Sequence, residues 1–236
     1  DGAHEGVWEC PDLFMLADDE GNEKWVMLVS INPGGPQGGS ATQYFIGQFD
    51  GKTFTKEDDY TRWLDVGADN YAGVTWSDVP NEDGRRIFIG WMSNWQYARD
   101  VPTYSWRSAM TLPLELSMTY VKGSPEVRSA PVAELGKYFQ VDSAASDKLS
   151  ASGTKLSIKD INGAFMTLKL SNEKGEEVSL MISETHISVD RSKSGIINFH
   201  PDFRKIHRFK HYLALVENLE VYVDNSSIEI YVNGGD

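Results

Sequence analysis

The residues best suited to chemistry stand near the start of the chain, in Trp8-Glu9-Cys10-Pro11-Asp12-Leu13-Phe14. One carboxylate sits between a tryptophan and a cysteine, and Pro11 stiffens the entry to an apolar run, Leu13 to Leu16. A carboxyl packed against an aromatic ring and a thiol is poorly solvated, which disfavours its charged form. An acid that keeps its proton near neutral pH can protonate a leaving oxygen, the step that opens glycosidic cleavage. Taken alone, the heptapeptide fits an ordinary strand glutamate better, since most acidic side chains are simply hydrated. Cys10 reads in two ways, as a neighbour that tunes Glu9 or as an inert thiol. The sequence argues against a catalytic thiol, because nothing nearby offers a base and an anion hole together.

A side chain with such a task needs a rigid frame, and the sequence supplies strands. Cys10–Leu16, Lys24–Ile31, Thr42–Phe49 and Thr53–Lys56 form a first set, separated by turn-rich segments such as Asp18–Glu23 and Asp50-Gly51. Tyr71–Trp76, Arg85–Met92, Ala109–Met118 and Glu126–Val132 form a second, with Pro113 marking a bulge or an edge. Each set has the size of a propeller blade or of one sheet of a sandwich. Two blades cannot close a propeller, and their open edges would be sticky. Ala133–Phe139 reads as a short helix or connector. Beyond it, Ala164–Leu170, Glu177–Ile182, His186–Asp190, Tyr212–Val216, Leu219–Val223 and Ser227–Val232 alternate with period two between polar turns, the signature of a sandwich.

Composition bounds the partners. The hydrophobic fraction is 40% over 236 residues, enough for a real core. The net charge of −13 argues against nucleic acid and against an anionic membrane surface, and leaves a neutral substrate open. The aromatic fraction of 11% suits sugar stacking and large β cores equally. A single cysteine excludes an intramolecular disulfide and any multi-cysteine metal site. His4, His186, His200, His207 and His211 have no metal-ligand spacing and read as surface residues. The segment from Phe199 to Lys210 is a basic and aromatic patch that reads as a sandwich loop. No apolar run reaches membrane-spanning length. The chain opens like a loop interior and ends on Asn233-Gly234-Gly235-Asp236, a turn with no partner strand, so a piece of a longer polypeptide is expected.

Three stretches together resemble glycoside hydrolase family 32, the β-fructofuranosidases that include levanases, exo-inulinases and invertases. They are Glu9–Phe14; Asp65–Ala72 followed by Trp76-Ser77; and Gly90–Tyr97 followed by Pro102-Thr103 and Trp106–Met110. The tail resembles the family's C-terminal sandwich more loosely, through Ser188–Ser192 and Ser226–Tyr231. The resemblance implies an all-β chain holding the last blades of a five-bladed β-propeller over residues 1–138 and a β-sandwich over 139–236, cut at its C-terminus. It implies retaining release of terminal β-linked fructose from levan, inulin or sucrose. Glu9 matches the general acid/base, and Trp8 and Cys10 flank it. Asp69 and Tyr71 match a segment lining the sugar pocket. Asn94 and Trp95 match the fructose site, with Trp95 as a stacking aromatic. Arg85 and Arg86 fall outside these motifs and read as surface or interface residues.

The family's nucleophile and transition-state stabiliser are aspartates in Trp-Met-Asn-Asp-Pro-Asn-Gly and Arg-Asp-Pro segments, and neither segment occurs here. Asp12 lies on the same strand as Glu9 and cannot sit across a pocket from it. Retaining cleavage needs two carboxyls about 5–5.5 Å apart, so the resemblance places the nucleophile upstream, on missing blades of the same protein. Three readings follow. The first is a fructan or sucrose hydrolase whose nucleophile lies elsewhere in the polypeptide. The second is a fructan-binding fragment or pseudo-enzyme. The third is a related five-bladed glycosidase acting on arabinan or xylan. No metal or organic cofactor is implied, and a polymeric substrate points to an extracellular or periplasmic location.

Overall fold

The computed structural model describes residues 2–143, 149, 153–211, 213 and 215–236. The described chain is built from four sheets and one short 3-10 helix. The first sheet runs β1 (Val7–Ala17), β2 (Glu23–Asn32), β3 (Ala41–Phe49) and β4 (Phe54–Lys56), antiparallel throughout. A two-residue strand that the sequence pattern does not reveal, β5 (Arg62–Trp63), also pairs with β3.

The second sheet contains β6 (Tyr71–Thr75), β7 (Arg86–Met92), β8 (Ala109–Met110), β9 (Leu114–Val121) and β10 (Ser124–Pro131). The strand expected over Ala109–Met118 is split in two, and both pieces pair with β7. The cause lies at Thr111 to Pro113. Thr111 exchanges hydrogen bonds with Gly90 through its backbone N–H (2.9 Å) and its hydroxyl (3.0 Å). Pro113 has no N–H to give a ladder. The N–H of Leu112 points away from β7, to a carboxylate of another sheet.

After a 3-10 turn over Ala133–Lys137, the chain makes two more sheets. The third is β11 (Gln140–Ser143), β12 (Thr154–Ile158), β17 (Leu219–Val223) and β18 (Ile228–Val232). The fourth is β13 (Met166–Ser171), β14 (Glu177–Ile182), β15 (His186–Lys193) and β16 (Ile206–Lys210). Leu156, Leu219 and Val221 of the third sheet share a core with Leu180, Ile182 and Ile187 of the fourth. β16 lies in the segment read as a loop, and its inward position buries His207, which is therefore no surface histidine. Leu213, Leu215 and Val216, expected in a strand, have no strand conformation; Tyr212 and Ala214 lie outside the described residues. Among the described residues no helix is long and apolar enough to cross a membrane.

A second core ties three sheets together. Phe14, Leu28 and Tyr44 of the first sheet meet Phe88, Leu114, Leu116 and Met118 of the second, and Tyr222 and Tyr231 arrive from the third. Phe88 is fully buried and needs Gly73 beneath it, where a Cβ would come within 2.0 Å of the ring. Between the first two sheets, the buried Arg62 binds Asp58 through both terminal nitrogens (2.7 and 2.9 Å) and Glu126 through Nε (3.1 Å). Tyr44 donates to the same Glu126 oxygen at 2.7 Å. Arg85 and Arg86 lie outside these cores. Arg85 is shared by Asp83 and Glu134, and Arg86 lies over the Phe14 ring at 4.9 Å.

Glu229 of β18 joins the third sheet to the second. Both its oxygens lie 3.1 Å from the Leu112 N–H, and Tyr231 donates to it at 2.9 Å. Burial pushes the carboxyl up to about 7, and the nearby Asp65 adds to the effect. The folded protein therefore holds a proton that the unfolded chain releases nearer its ordinary 4.5. This group's stabilisation is present in acid and is lost as pH rises through about 7. Glu229→Gln keeps the acceptor and removes the charge. It is expected to stabilise the protein near pH 8 by about 1–3 kcal/mol and to do little near pH 5. Melting curves of both proteins across that range check this, and an effect independent of pH would refute it.

Candidate active site

Two strands from different sheets meet at the candidate site, and both are irregular where they meet. The β1–β2 ladder slips between Glu9 and Asp12, with Cys10 at φ 48°. The β6–β7 ladder slips between Tyr71 and Val74, with Ala72 at φ 51°. A non-glycine residue in that region costs on the order of 1 kcal/mol. Such bulges turn side chains out of the regular pleat, and here they set Glu9 and Tyr71 against each other. Tyr71 donates its hydroxyl to Glu9 Oε2 in a short hydrogen bond. Burial and the adjacent carboxylate push the Tyr71 phenol up, so it stays a donor at any ordinary pH. The Ala72 N–H donates to Ser30 Oγ at 3.1 Å. Thr75 donates to Asp12 Oδ2 through its N–H (2.9 Å) and its hydroxyl (2.7 Å). Asp12 is thus a strap between sheets.

Glu9 itself is exposed. Trp8 does not cover it, because adjacent strand residues face opposite sides. The Trp8 ring lies 5.6 Å from Phe45, and its indole N–H donates to the Ala3 carbonyl at 2.8 Å. Cys10 is a free, exposed thiol. The desolvating neighbours expected from the heptapeptide are therefore not gathered around the carboxylate. Its anchor is Tyr71, distant in sequence.

The loop after β7 carries the next candidate residues. Asn94 is fully buried and acts as a hub. Its amide donates to the carbonyls of Gly38 (3.1 Å), Ser40 (3.4 Å) and Ala68 (2.9 Å). Its oxygen accepts from the N–H groups of Ser40 (3.3 Å) and Gln96 (3.0 Å). Gly39 at φ 66° makes room, since a Cβ there would lie 2.1 Å from the Asn94 oxygen. The Trp95 N–H donates to Ser40 Oγ at 2.9 Å, which turns its ring outward to 46% exposure. Trp95 packs on Trp91 at 5.1 Å, and Trp91 on Tyr71 at 6.3 Å. Glu9, Tyr71, Trp91 and Trp95 thus form one continuous run of contacts.

Asp69 is occupied by protein donors. Tyr97 donates to Oδ1 at 2.5 Å and Arg191 to Oδ2 at 2.7 Å. Trp91, Tyr97 and Arg191 escaped the sequence reading as site residues. A signal existed for Arg191, which shares its parity along β15 with the inward-facing Ile187 and Val189. Trp91 and Tyr97 lie within a motif already singled out, but only packing shows which of its residues touch.

The profile of the Glycosyl hydrolases family 32 N-terminal domain matches residues 1–131, and that of the family 32 C terminal matches residues 132–236. The chain belongs to glycosyl hydrolase family 32. Among curated family 32 proteins, it is 38% identical to a levanase of Bacillus subtilis, over 99% of this chain and 38% of that protein. It is 33% identical to an extracellular exo-inulinase of Aspergillus awamori, over 99% of this chain and 49% of that protein. The crystal structure of an exo-inulinase from Aspergillus awamori superposes with a TM-score of 0.81 at 28% identity, covering 99% of this chain and 51% of that one. A fructofuranosidase of Schwanniomyces occidentalis complexed with fructose gives a TM-score of 0.73 at 25% identity, covering all of this chain and 54% of that one. The chain therefore spans about half, or less, of the length of these family 32 relatives.

The hub residue offers a test of how the loop is built. Asn94→Ala removes the partner of three carbonyls and two N–H groups, and each one left unmet where it is buried costs about 1–3 kcal/mol. The variant is expected to lower the melting temperature and to shift the tryptophan emission of Trp95 and Trp91. Unchanged melting and emission would remove Asn94 from its supporting role.

Proposed function

We propose that this chain is the acid/base-bearing part of a retaining β-fructosidase that releases terminal fructose from levan, inulin or sucrose. The observation that carries the reading is Glu9 held by Tyr71 from a neighbouring sheet and linked through Trp91 to the exposed Trp95. Family membership and the similarity to a levanase and exo-inulinases support it. In this reading Glu9 protonates the glycosidic oxygen and later activates water, while Tyr71 fixes its rotamer. Trp95 stacks against the sugar, with Trp91 behind it. Asn94 and Asp69 shape the pocket. The attacking aspartate and the transition-state stabiliser lie in a part of the polypeptide outside these 236 residues. The first two sheets are then the last blades of a five-bladed propeller, over residues 1–138, with the sandwich of 139–236 behind them. A polymeric substrate and the extracellular exo-inulinase relatives favour action outside the cell.

The described geometry also supports a second reading for the isolated chain. Asp12, on the same strand as Glu9, is taken up by Thr75 and is not free to oppose it. The 236-residue chain alone is expected to release no fructose from sucrose or levan. Release by the purified chain, unaltered by Glu9→Gln, would overturn the assignment of roles. In the complete protein, Glu9→Ala is expected to lower turnover by about 10²–10⁴, the span of a lost general acid. Sucrose hydrolysis at an unchanged rate would take Glu9 out of the mechanism.

A further inference from the structure

Arg191 belongs to the fourth sheet, yet its guanidinium ends among residues of the other half of the chain. Every kind of donor it carries is used. Nε donates to the Phe203 carbonyl at 2.6 Å, Nη1 to Asp69 Oδ2 at 2.7 Å, and Nη2 to the Tyr97 hydroxyl at 2.8 Å. Its Cζ lies 4.0 Å from the centroid of the Phe203 ring and 5.4 Å from that of Tyr97. Tyr97 closes the triangle by donating to Asp69 Oδ1 at 2.5 Å, and Phe203 packs edge-on against Tyr97 at 5.5 Å. His207, buried beside the cluster, is held neutral, pushed down to about 4 by burial and by the Arg191 charge.

The two residues that Arg191 grips are the flanks of the candidate site. Asp69 stands two positions before Tyr71, the donor to Glu9. Tyr97 stands two positions after Trp95, and its N–H donates to the Asn94 carbonyl at 3.1 Å. A planar cation from the sandwich half therefore adds a directed tie, beside the Asn94–Ala68 bond, between the segment that orients Glu9 and the segment that presents Trp95. Three directed hydrogen bonds define geometry closely. An ion pair this far out of solvent adds little net stability over a well-packed apolar substitute, so its consequence here is shape.

We infer that Arg191 is a positioning residue: through Asp69 and Tyr97, the sandwich domain sets the spacing between the acid/base and the sugar platform. The inference rests on the reading of Glu9 and Trp95 given above. Its measure is the turnover of correctly folded enzyme, because a misplacement of about 1 Å can cost roughly a hundredfold in rate.

The test uses the complete protein, sucrose as substrate, and fructose release as the readout, with kcat and KM corrected for the folded fraction by circular dichroism. Arg191→Met keeps the stem and removes the fork. It is expected to lower kcat by about ten- to a hundredfold per folded molecule, with KM changed less. Arg191→Lys, which keeps the charge but cannot span both acceptors, is expected to recover only part of that loss. Wild-type kcat and KM in folded Arg191→Met, whatever its melting temperature, would overturn the inference. Should Arg191→Met not fold, Arg191→Lys decides: lowered kcat at a native circular dichroism spectrum supports the role, and wild-type kcat refutes it. An unmutated complete protein that releases no fructose would instead refute the underlying reading of the site.

Discussion

A hydrogen bond between two sheets carries the organisation of this molecule. Tyr71 and Glu9 meet only because each strand breaks its own ladder at that point, Cys10 and Ala72 taking left-handed backbone conformations to allow it. Each bulge has a local cause, Pro11 with no N–H to give in one and Gly73 in the other. Both are held by what surrounds them: the Asp12–Thr75 strap on one side, and the Ser30 hydroxyl gripping the Ala72 N–H on the other. Behind them the shared core of Phe14, Leu28, Phe88 and Leu116 keeps the sheets from sliding.

Buried polar groups in this protein act mainly as spacers. Arg62 holds the first two sheets through Asp58 and Glu126, Asn94 gathers three loop carbonyls, and Arg191 bridges the two halves. Each is a branched or planar group with several fixed donors. That is the type of residue that specifies one arrangement among several of similar apolar burial.

Much of the fold was legible because its strands alternate cleanly. Glu177–Ile182 and Leu219–Val223 were read with the bounds they have in the structure. β16 was missed because His207, Arg208 and Lys210 mask the alternation of Ile206–Lys210, and only the burial of His207 restores it. The split of the third strand at Pro113 was half legible, since proline announces an interruption but not what takes over the lost rung. Sequence motifs pointed to Glu9, Tyr71 and Trp95, which the structure joins in one run of contacts, but assigned Glu9 the wrong company. Chain neighbours of a strand residue face away from it, so Trp8 sits with Phe45, and the partner of Glu9 comes from 62 residues on. Contacts of that range leave no periodic trace in a sequence.

The detached N–H of Leu112 bears on how such a protein evolves. It finds its acceptor on the last strand of the chain, so the first two sheets are not a self-sufficient module. A recombination event that joined them to a foreign C-terminal domain would leave that peptide group without its acceptor and open the places of Tyr222 and Tyr231 in the core. Any replacement partner would have to bring its own acceptor for that N–H and its own aromatic cover for the core.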